Sequence, residues 1–187
     1  MSRALAAGLL AQAVAEDEAY ARQPHSVLEQ GWDEETHQQR FITWAAMTWP
    51  TLPALEGFHH SPNGGKRDQR QNRKTGRLYS PEALRLQLMG VRAEYPDLLL
   101  DVAVWDWHGL RIELKDLDGE LSTNQRPWLV RLRREGYLAD VARGWRDARR
   151  LTLEYLSGQF TEYRWSPRFA DRHQTLPPTH LMPAASG

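Results

Sequence analysis

The chain contains no cysteine. Disulfide frameworks, thiol nucleophiles, zinc–cysteine clusters and iron–sulfur clusters are therefore excluded, and nothing marks an oxidising compartment. No apolar run approaches the ~18 residues that span a bilayer, so no membrane partner is expected. There is no internal repeat. Net charge is also absent, with 24 basic and 24 acidic side chains among 187 residues. What remains is ordinary for a folded soluble chain: 41% hydrophobic and 26% charged residues, in a length of roughly one domain with appendages at ~150 residues per domain.

The zero net charge conceals blocks. Residues 1–61 hold 3 Lys/Arg against 8 Asp/Glu, and residues 62–92 hold 8 against 2. Residues 93–125 reverse this at 2 against 8, and residues 126–150 reverse it again at 8 against 3. Two basic blocks thus flank an acidic one. A phosphate-binding surface needs local rather than global positive charge. An acidic cluster between two such surfaces suits a divalent metal held beside a phosphate backbone. Two solvated helix faces and an acidic loop would give the same tally, so the order of residues inside the blocks decides.

The first twenty residues faintly mimic a secretory signal through Ala13-Val14-Ala15, but Gln12 breaks the apolar run, and an amphipathic helix is expected instead. Residues 21–31 read as a loop. Asp33 caps a helix over 33–48, with Glu34, Gln38, Phe41 and Ala45 on one face, and Pro50 and Pro53 end it. A short strand is expected over 54–60, then a polar basic stretch to Tyr79 that is expected to be mobile. Ser80 caps a helix with Pro81 at its first position and Gly90 as its stop. Strands are expected over 98–107 and 109–115. Ser122 and Gln125 fit a capping box, with Pro127 delaying the helix by one or two residues. Trp128, Leu129 and Leu132 form its buried face, and Gly136 ends it. A strand over 137–142 and a helix over 145–156, basic on its outside, complete an α/β domain of one mixed sheet with helices on both faces. The boundaries read as an N-terminal helix and loop over 1–30, a domain over 31–157 and a poorly packed tail over 158–187.

Within this frame, Pro96-Asp97 opens one strand, while Glu113 and Lys115 share a face of the next, about 6–7 Å apart. If the strands are neighbours, Asp97 converges on Glu113. Two carboxylates on a rigid sheet edge form a hard-oxygen site suited to magnesium, to which the Leu114 carbonyl could add a ligand. Lys115 beside it would orient or deprotonate a water, or stabilise a pentavalent phosphate. An exposed Glu113–Lys115 ion pair, worth under ~1 kcal/mol, is the plain alternative.

The joint pattern resembles the VRR-NUC family (virus-type replication-repair nucleases) of the PD-(D/E)XK superfamily. It comprises Glu34 with Gln38, the Pro62-Asn63-Gly64-Gly65-Lys66-Arg67 loop, Gly90-Val91 ahead of Pro96-Asp97, and the Gly109-Leu110-Arg111-Ile112-Glu113-Leu114-Lys115 strand. Gly119-Glu120-Leu121-Ser122 leading to Gln125, then Trp128, Leu132 and Gly136-Tyr137, complete it. The resemblance covers about two-thirds of the chain, in its compact phage and bacterial form. It implies a restriction-endonuclease-like core, with its mixed central sheet flanked by helices, and a nuclease dependent on Mg2+ or Mn2+. Asp97 and Glu113 would be metal ligands, Lys115 the catalytic lysine, Gln125 a supporting residue and Glu34 the first-helix acid near the metal. It further implies structured or branched DNA such as four-way junctions, a homodimer, a role in replication or repair, and a cytoplasmic location in a bacterial or phage-infected cell. Two departures stand out: Glu94 replaces a glycine common in the family, and a long basic insert follows Arg67.

Lys66, Arg67, Arg70, Arg73 and Lys74 in that insert, and Arg131 and Arg134 on the later helix, are candidate DNA contacts. Arg133 falls in the same basic run, which otherwise reads as a solvated helix face. His59 and His60 point to opposite strand faces and cannot chelate together. Trp105 and Trp107 suit core packing better than base stacking. A restriction-like endonuclease and a non-catalytic nucleic-acid-binding module are the alternatives for function. A structural phage protein would explain the charge blocks but not the site residues.

Overall fold

Leu110, Ile112 and Leu114 alternate with Arg111, Glu113 and Lys115, and the strand this pattern predicts forms at the centre of a sheet. Its six residues are all buried, so polar and apolar faces alike are covered. A computed structural model of the chain describes residues 3–21, 23–62, 69–71, 74–104 and 106–158. Its elements, in order, are helices α1 (Arg3–Ala21), α2 (Val27–Gln30) and α3 (Glu34–Thr48), a 3-10 turn (Pro53–Gly57), and strands β1 (Phe58–His60), β2 (Arg70–Gln71) and β3 (Leu78–Tyr79). Then come α4 (Pro81–Leu88), β4 (Leu98–Leu100), β5 (Leu110–Lys115), α5 (Arg126–Arg134), β6 (Leu138–Arg143) and α6 (Gly144–Ser157).

The main sheet runs β1-β4-β5-β6, antiparallel except for the parallel pair β5–β6 joined through α5. One face is packed by α3 and α6, where Phe41, Trp145, Ala148 and Leu151 close on Leu98, Leu110, Ile112 and Leu114. The other face meets α5, whose Leu129 and Leu132 pack on Ala139 and Val141. This is the mixed sheet with helices on both faces that the sequence predicts. No described helix is long and apolar enough to cross a membrane.

Several local expectations change. The 54–60 segment is a strand only from Phe58; Pro53 fixes a 3-10 turn before it. The 98–107 strand stops at Leu100, because Asp101 turns out to pair with Arg111 and residues 104 and 107 close a tight bridge. Within the 68–79 insert, β2 and β3 form a small antiparallel hairpin, since Leu78 and Tyr79 offer enough extended backbone to pair. The Asn63–Arg67 loop, with Lys66 and Arg67, lies outside the described residues, as do Arg73, Trp105 and the tail from 159 onward. Trp107 is in the core. Gly144 has φ +74°, and a Cβ there would meet Leu117 at 2.8 Å, so glycine permits the sharp passage from β6 into α6.

The 21–31 segment is not merely a loop. Ser26 and Glu29 make a complete capping box around α2, which fixes Glu29 as a buried staple. Its carboxylate accepts from Trp145 Nε1 at 3.0 Å and from Arg146 Nε at 3.0 Å. Arg146 also lies over the Tyr20 ring, 4.3 Å from its centroid, and Arg149 pairs with Asp17 of α1 at 2.9 Å. The N-terminal helix is thereby tied to α6.

Burial pushes the Glu29 carboxyl upward, but hydrogen bonds from Trp145, Ser26 and Arg146 outweigh it and hold its pKa below 4.5. Such a group adds stability above its unfolded pKa, and that stability disappears as pH falls through the lowered folded value. Glu29→Gln is therefore expected to destabilise the protein by about 3 kcal/mol at neutral pH, because it leaves the half-buried Arg146 without its counter-charge. Denaturation measured across pH should show the gap to wild type narrowing as pH drops below 4.5. A gap that persists unchanged in acid would remove the charge pair as its cause.

Candidate active site

The β4–β5 register assembles the site. Leu98 stands opposite Ile112, so one step further Asp97 stands opposite Glu113. Cross-strand neighbours hold their Cβ atoms about 4.5–5.5 Å apart, which brings the two carboxyl groups together. Pro96 keeps the preceding residue extended and delivers Asp97 at the strand mouth. The Asp97 side chain is then fixed: its Oδ2 accepts the Leu114 backbone N–H at 3.0 Å. Its own carbonyl accepts from the Ser61 backbone N–H at 2.8 Å, and His60 Nδ1 lies 3.1 Å away from it. His60 thus borders the site.

Lys115 projects beside Glu113, as strand periodicity requires. Its Nζ lies 2.8 Å from Glu113 Oε1 and 2.8 Å from Glu34 Oε2, and donates to the Leu114 carbonyl at 2.9 Å. The Glu113–Lys115 pair is not the exposed pair of the plain alternative; the two residues are 1% and 7% exposed. Glu34 arrives from the first turn of α3, which Asp33 caps by accepting the Thr36 N–H at 2.9 Å.

Gln125 comes from the start of α5 and donates through Nε2 to Glu113 Oε1. Its amide is oriented by the predicted capping box. Ser122 N–H donates to Gln125 Oε1 at 2.9 Å, and Gln125 N–H donates to Ser122 Oγ at 3.1 Å. The helix begins just after this box, at Arg126.

Asp97, Glu113, Lys115, Gln125 and Glu34 are thus brought together from four separate places in the chain, Glu113 and Lys115 sharing β5. Two carboxylates, Glu113 and Glu34, pair with the one ammonium, while Asp97 faces Glu113. Burial, then the neighbouring Asp97 charge, pushes the Glu113 carboxyl up to about 8. Burial also raises Asp97. For Lys115, burial favours the neutral amine, but Glu113 and Glu34 outweigh it and hold the pKa above its ordinary value. The pair Asp97–Glu113 is therefore reluctant to ionise twice while Lys115 stays an ammonium.

Glu94 is tied to Ser122 of the helix cap. It is half-buried and its Oε2 accepts from Ser122 Oγ at 3.1 Å. Its φ of +62° is the one positive value among the described non-glycine residues, which explains why a glycine suits this position. The left-handed backbone costs roughly 1–2 kcal/mol for an L-residue, and the bond to Ser122 offsets part of it. The departure from glycine is the one signal of this legible in the sequence; the link to Ser122 and Gln125 is not.

The described candidate DNA contacts lie on the surface rather than among the buried carboxylates. Arg131 and Arg134 are exposed on α5, Arg70 is exposed on β2 and Lys74 is exposed in the turn after it. Arg133, placed with Arg131 and Arg134 by the sequence, turns inward instead: its Nε donates to the Ala139 carbonyl, and its guanidinium lies 3.4 Å from Asp140.

A profile of the VRR-NUC domain family matches residues 22–145. A solved structure described as a VRR_NUC domain protein is similar to this chain with a TM-score of 0.51 and 30% identity, over 67% of this chain and 89% of the other. No curated protein matches. The matched stretch contains the whole cluster from Glu34 to Gln125, on a four-stranded mixed sheet of PD-(D/E)XK type, and the chain belongs to the VRR-NUC family of nuclease domains.

Proposed function

We propose that this protein is a divalent-metal-dependent nuclease that hydrolyses phosphodiester bonds in structured or branched DNA, acting in replication or repair. The observation that carries the reading is the buried apposition of Asp97 and Glu113 beside Lys115. With all three carboxylates ionised against one ammonium, the cluster carries a charge of −2, which a divalent cation balances. The reluctance of Asp97 and Glu113 to ionise together is what such a cation relieves.

Asp97 and Glu113 would hold Mg2+ or Mn2+, with the Leu114 carbonyl as a further oxygen; magnesium keeps several waters and commonly takes only one or two carboxylates. When bound, the metal supplies a Lewis acid for a phosphoryl oxygen and a lowered pKa for a coordinated water. Lys115, held as an ammonium, is placed to neutralise charge developing on the phosphate rather than to abstract a proton. Glu34 steadies Lys115, and Gln125 orients the Glu113 carboxyl. Arg70, Lys74, Arg131 and Arg134, with Lys66, Arg67 and Arg73, supply phosphate contacts along the backbone. A symmetric branch needs two symmetric cuts, which a two-fold homodimer supplies; Leu84 and Leu88 on α4 and Met89 at its C-cap, all exposed, offer such a dimer an apolar surface. A module that only bound DNA would have no use for two carboxylates held apart from solvent at a cost of several kcal/mol.

Asp97→Asn and Glu113→Gln are each expected to abolish cleavage of labelled junction, flap and duplex DNA while the fold survives. Magnesium should raise the melting temperature of wild type and of neither variant. Cleavage in chelator, or by either variant, would sink the metal reading.

Lys115→Met should lower the single-turnover rate about 100-fold or more, the scale for losing one donor to transition-state charge. DNA affinity should change only a few-fold, because many phosphate contacts supply it. Equal losses in binding and rate would make Lys115 an ordinary phosphate anchor.

Neutralising Arg70, Arg73 and Lys74 together should weaken binding across sequences and flatten its salt dependence. The slope should fall by about 0.9 per lost duplex phosphate contact. An unchanged slope with collapsed turnover would move this segment into the chemistry.

A further inference from the structure

Arg92, Tyr95, Trp128, Arg131, Glu135 and Tyr137 line a cleft of about 620 Å³, within the range of sites that hold small organic groups. Its aromatic walls are fixed in place. Tyr95 and Trp128 meet edge to face, with centroids 5.2 Å apart. Trp128 Nε1 donates to the Ala93 carbonyl at 3.2 Å. Arg111 is hydrogen-bonded to Tyr95 and lies over the Tyr137 ring, 4.3 Å from its centroid. Asp101 holds Arg111 in turn, at 2.6 Å. Arg92 and Arg131 are exposed at the cleft, and the Arg131 guanidinium sits 5.7 Å from the Trp128 centroid.

The cleft and the carboxylate pair are built by the same two segments. Tyr95 stands two residues before Asp97. Arg111, which braces both tyrosines, stands two residues before Glu113 on the same face of β5, about 7 Å along the strand. The cleft therefore neighbours the carboxylates. Rigid rings accept the flat face of a base without regard to its identity. Arginines at the rim match the adjoining phosphate, and the Glu135 carboxylate can accept from an exocyclic amine. A base stacked inside a duplex cannot enter such a cleft, whereas an unpaired one can.

We propose that this cleft is a stacking subsite for one unpaired nucleotide of the strand being cut, immediately beside the scissile phosphate. The proposal rests on the nuclease reading and narrows its substrate to DNA with an unpaired nucleotide next to the cut.

The test uses wild-type protein in chelator and measures the anisotropy of a labelled duplex with a single-stranded arm, against a blunt duplex of the same sequence. A single abasic residue is then moved through the arm. The armed duplex should bind more tightly. One abasic position should weaken binding roughly 5- to 100-fold, the range for losing one stacked base. In magnesium or manganese the cut should fall next to that position. Trp128→Leu should erase the abasic effect, and Arg92→Ala with Arg131→Ala should weaken armed DNA more than blunt. Equal affinity for both duplexes with a flat abasic profile would overturn the subsite. Because the scan needs no altered protein, a Trp128→Leu chain that fails to fold leaves it decisive. Cleavage with a flat profile would remove the subsite and spare the nuclease. A clear abasic position in a protein that cuts nothing with either metal would spare the subsite and remove the nuclease.

Discussion

Two carboxylates that would repel each other are held face to face in the interior. The register of β4 on β5 sets Asp97 against Glu113, and most of the surrounding polar structure answers the cost of that pairing. The Leu114 N–H caps one Asp97 oxygen. Gln125 donates to Glu113, and Lys115 bridges Glu113 and Glu34. Even so, Glu113 remains pushed up to about 8, so the negative charge is under-compensated. An apolar sheet would be easier to bury. Under the proposed reading, a divalent cation would relieve that under-compensation and, once bound, offset the repulsion between the carboxylates and a phosphate.

The site is held stiff by elements that carry no chemistry. Pro96 and the left-handed Glu94 shape the approach to Asp97, and Glu94 is bonded to Ser122. Ser122 in turn sets the amide of Gln125, so a strained backbone residue and a helix cap share one hydrogen-bonded chain that ends on Glu113. On the opposite side of the sheet, α3 supplies Glu34 and packs with α6. The buried Glu29–Trp145–Arg146 cluster ties α6 to α2, and Arg149 with Asp17 ties it to α1. The N-terminal helix, read from the sequence as an appendage, is thereby packed on the domain. Each of these ties reduces the freedom of a residue that must stay within hydrogen-bond distance of the carboxylates.

The same economy of segments links the carboxylates to the aromatic cleft. Residues 92–97 form part of the cleft and carry Asp97, while β5 carries Arg111 and Glu113. Chemistry and strand recognition would then be set by one register. A slip of one residue between β4 and β5 would exchange the two faces of the strand, losing the carboxylate pair and the brace of Tyr95 and Tyr137 together.

Local pattern determined much of this protein. Alternation along 110–115 specifies which side chains share a face, because strand periodicity is fixed by the backbone. Asp33, Ser80 and the Ser122–Gln125 box mark helix starts, because unpaired helical N–H groups need nearby acceptors. The order of the acidic, basic and glycine-rich motifs was enough to indicate the family, the fold and the residues from Glu34 to Gln125. What tertiary structure alone decided are matters of long-range pairing. The 98–107 strand ends early because Asp101 meets Arg111 from a neighbouring strand. Arg133 turns inward because Asp140 and the Ala139 carbonyl wait on β6. Glu29 becomes a buried staple because Trp145 and Arg146, far along the chain, reach it. The cleft of Tyr95, Trp128 and Tyr137 has no sequence signature, since its walls come from three segments and become neighbours only when the sheet closes. Periodicity fixes direction within an element; only packing fixes which elements meet.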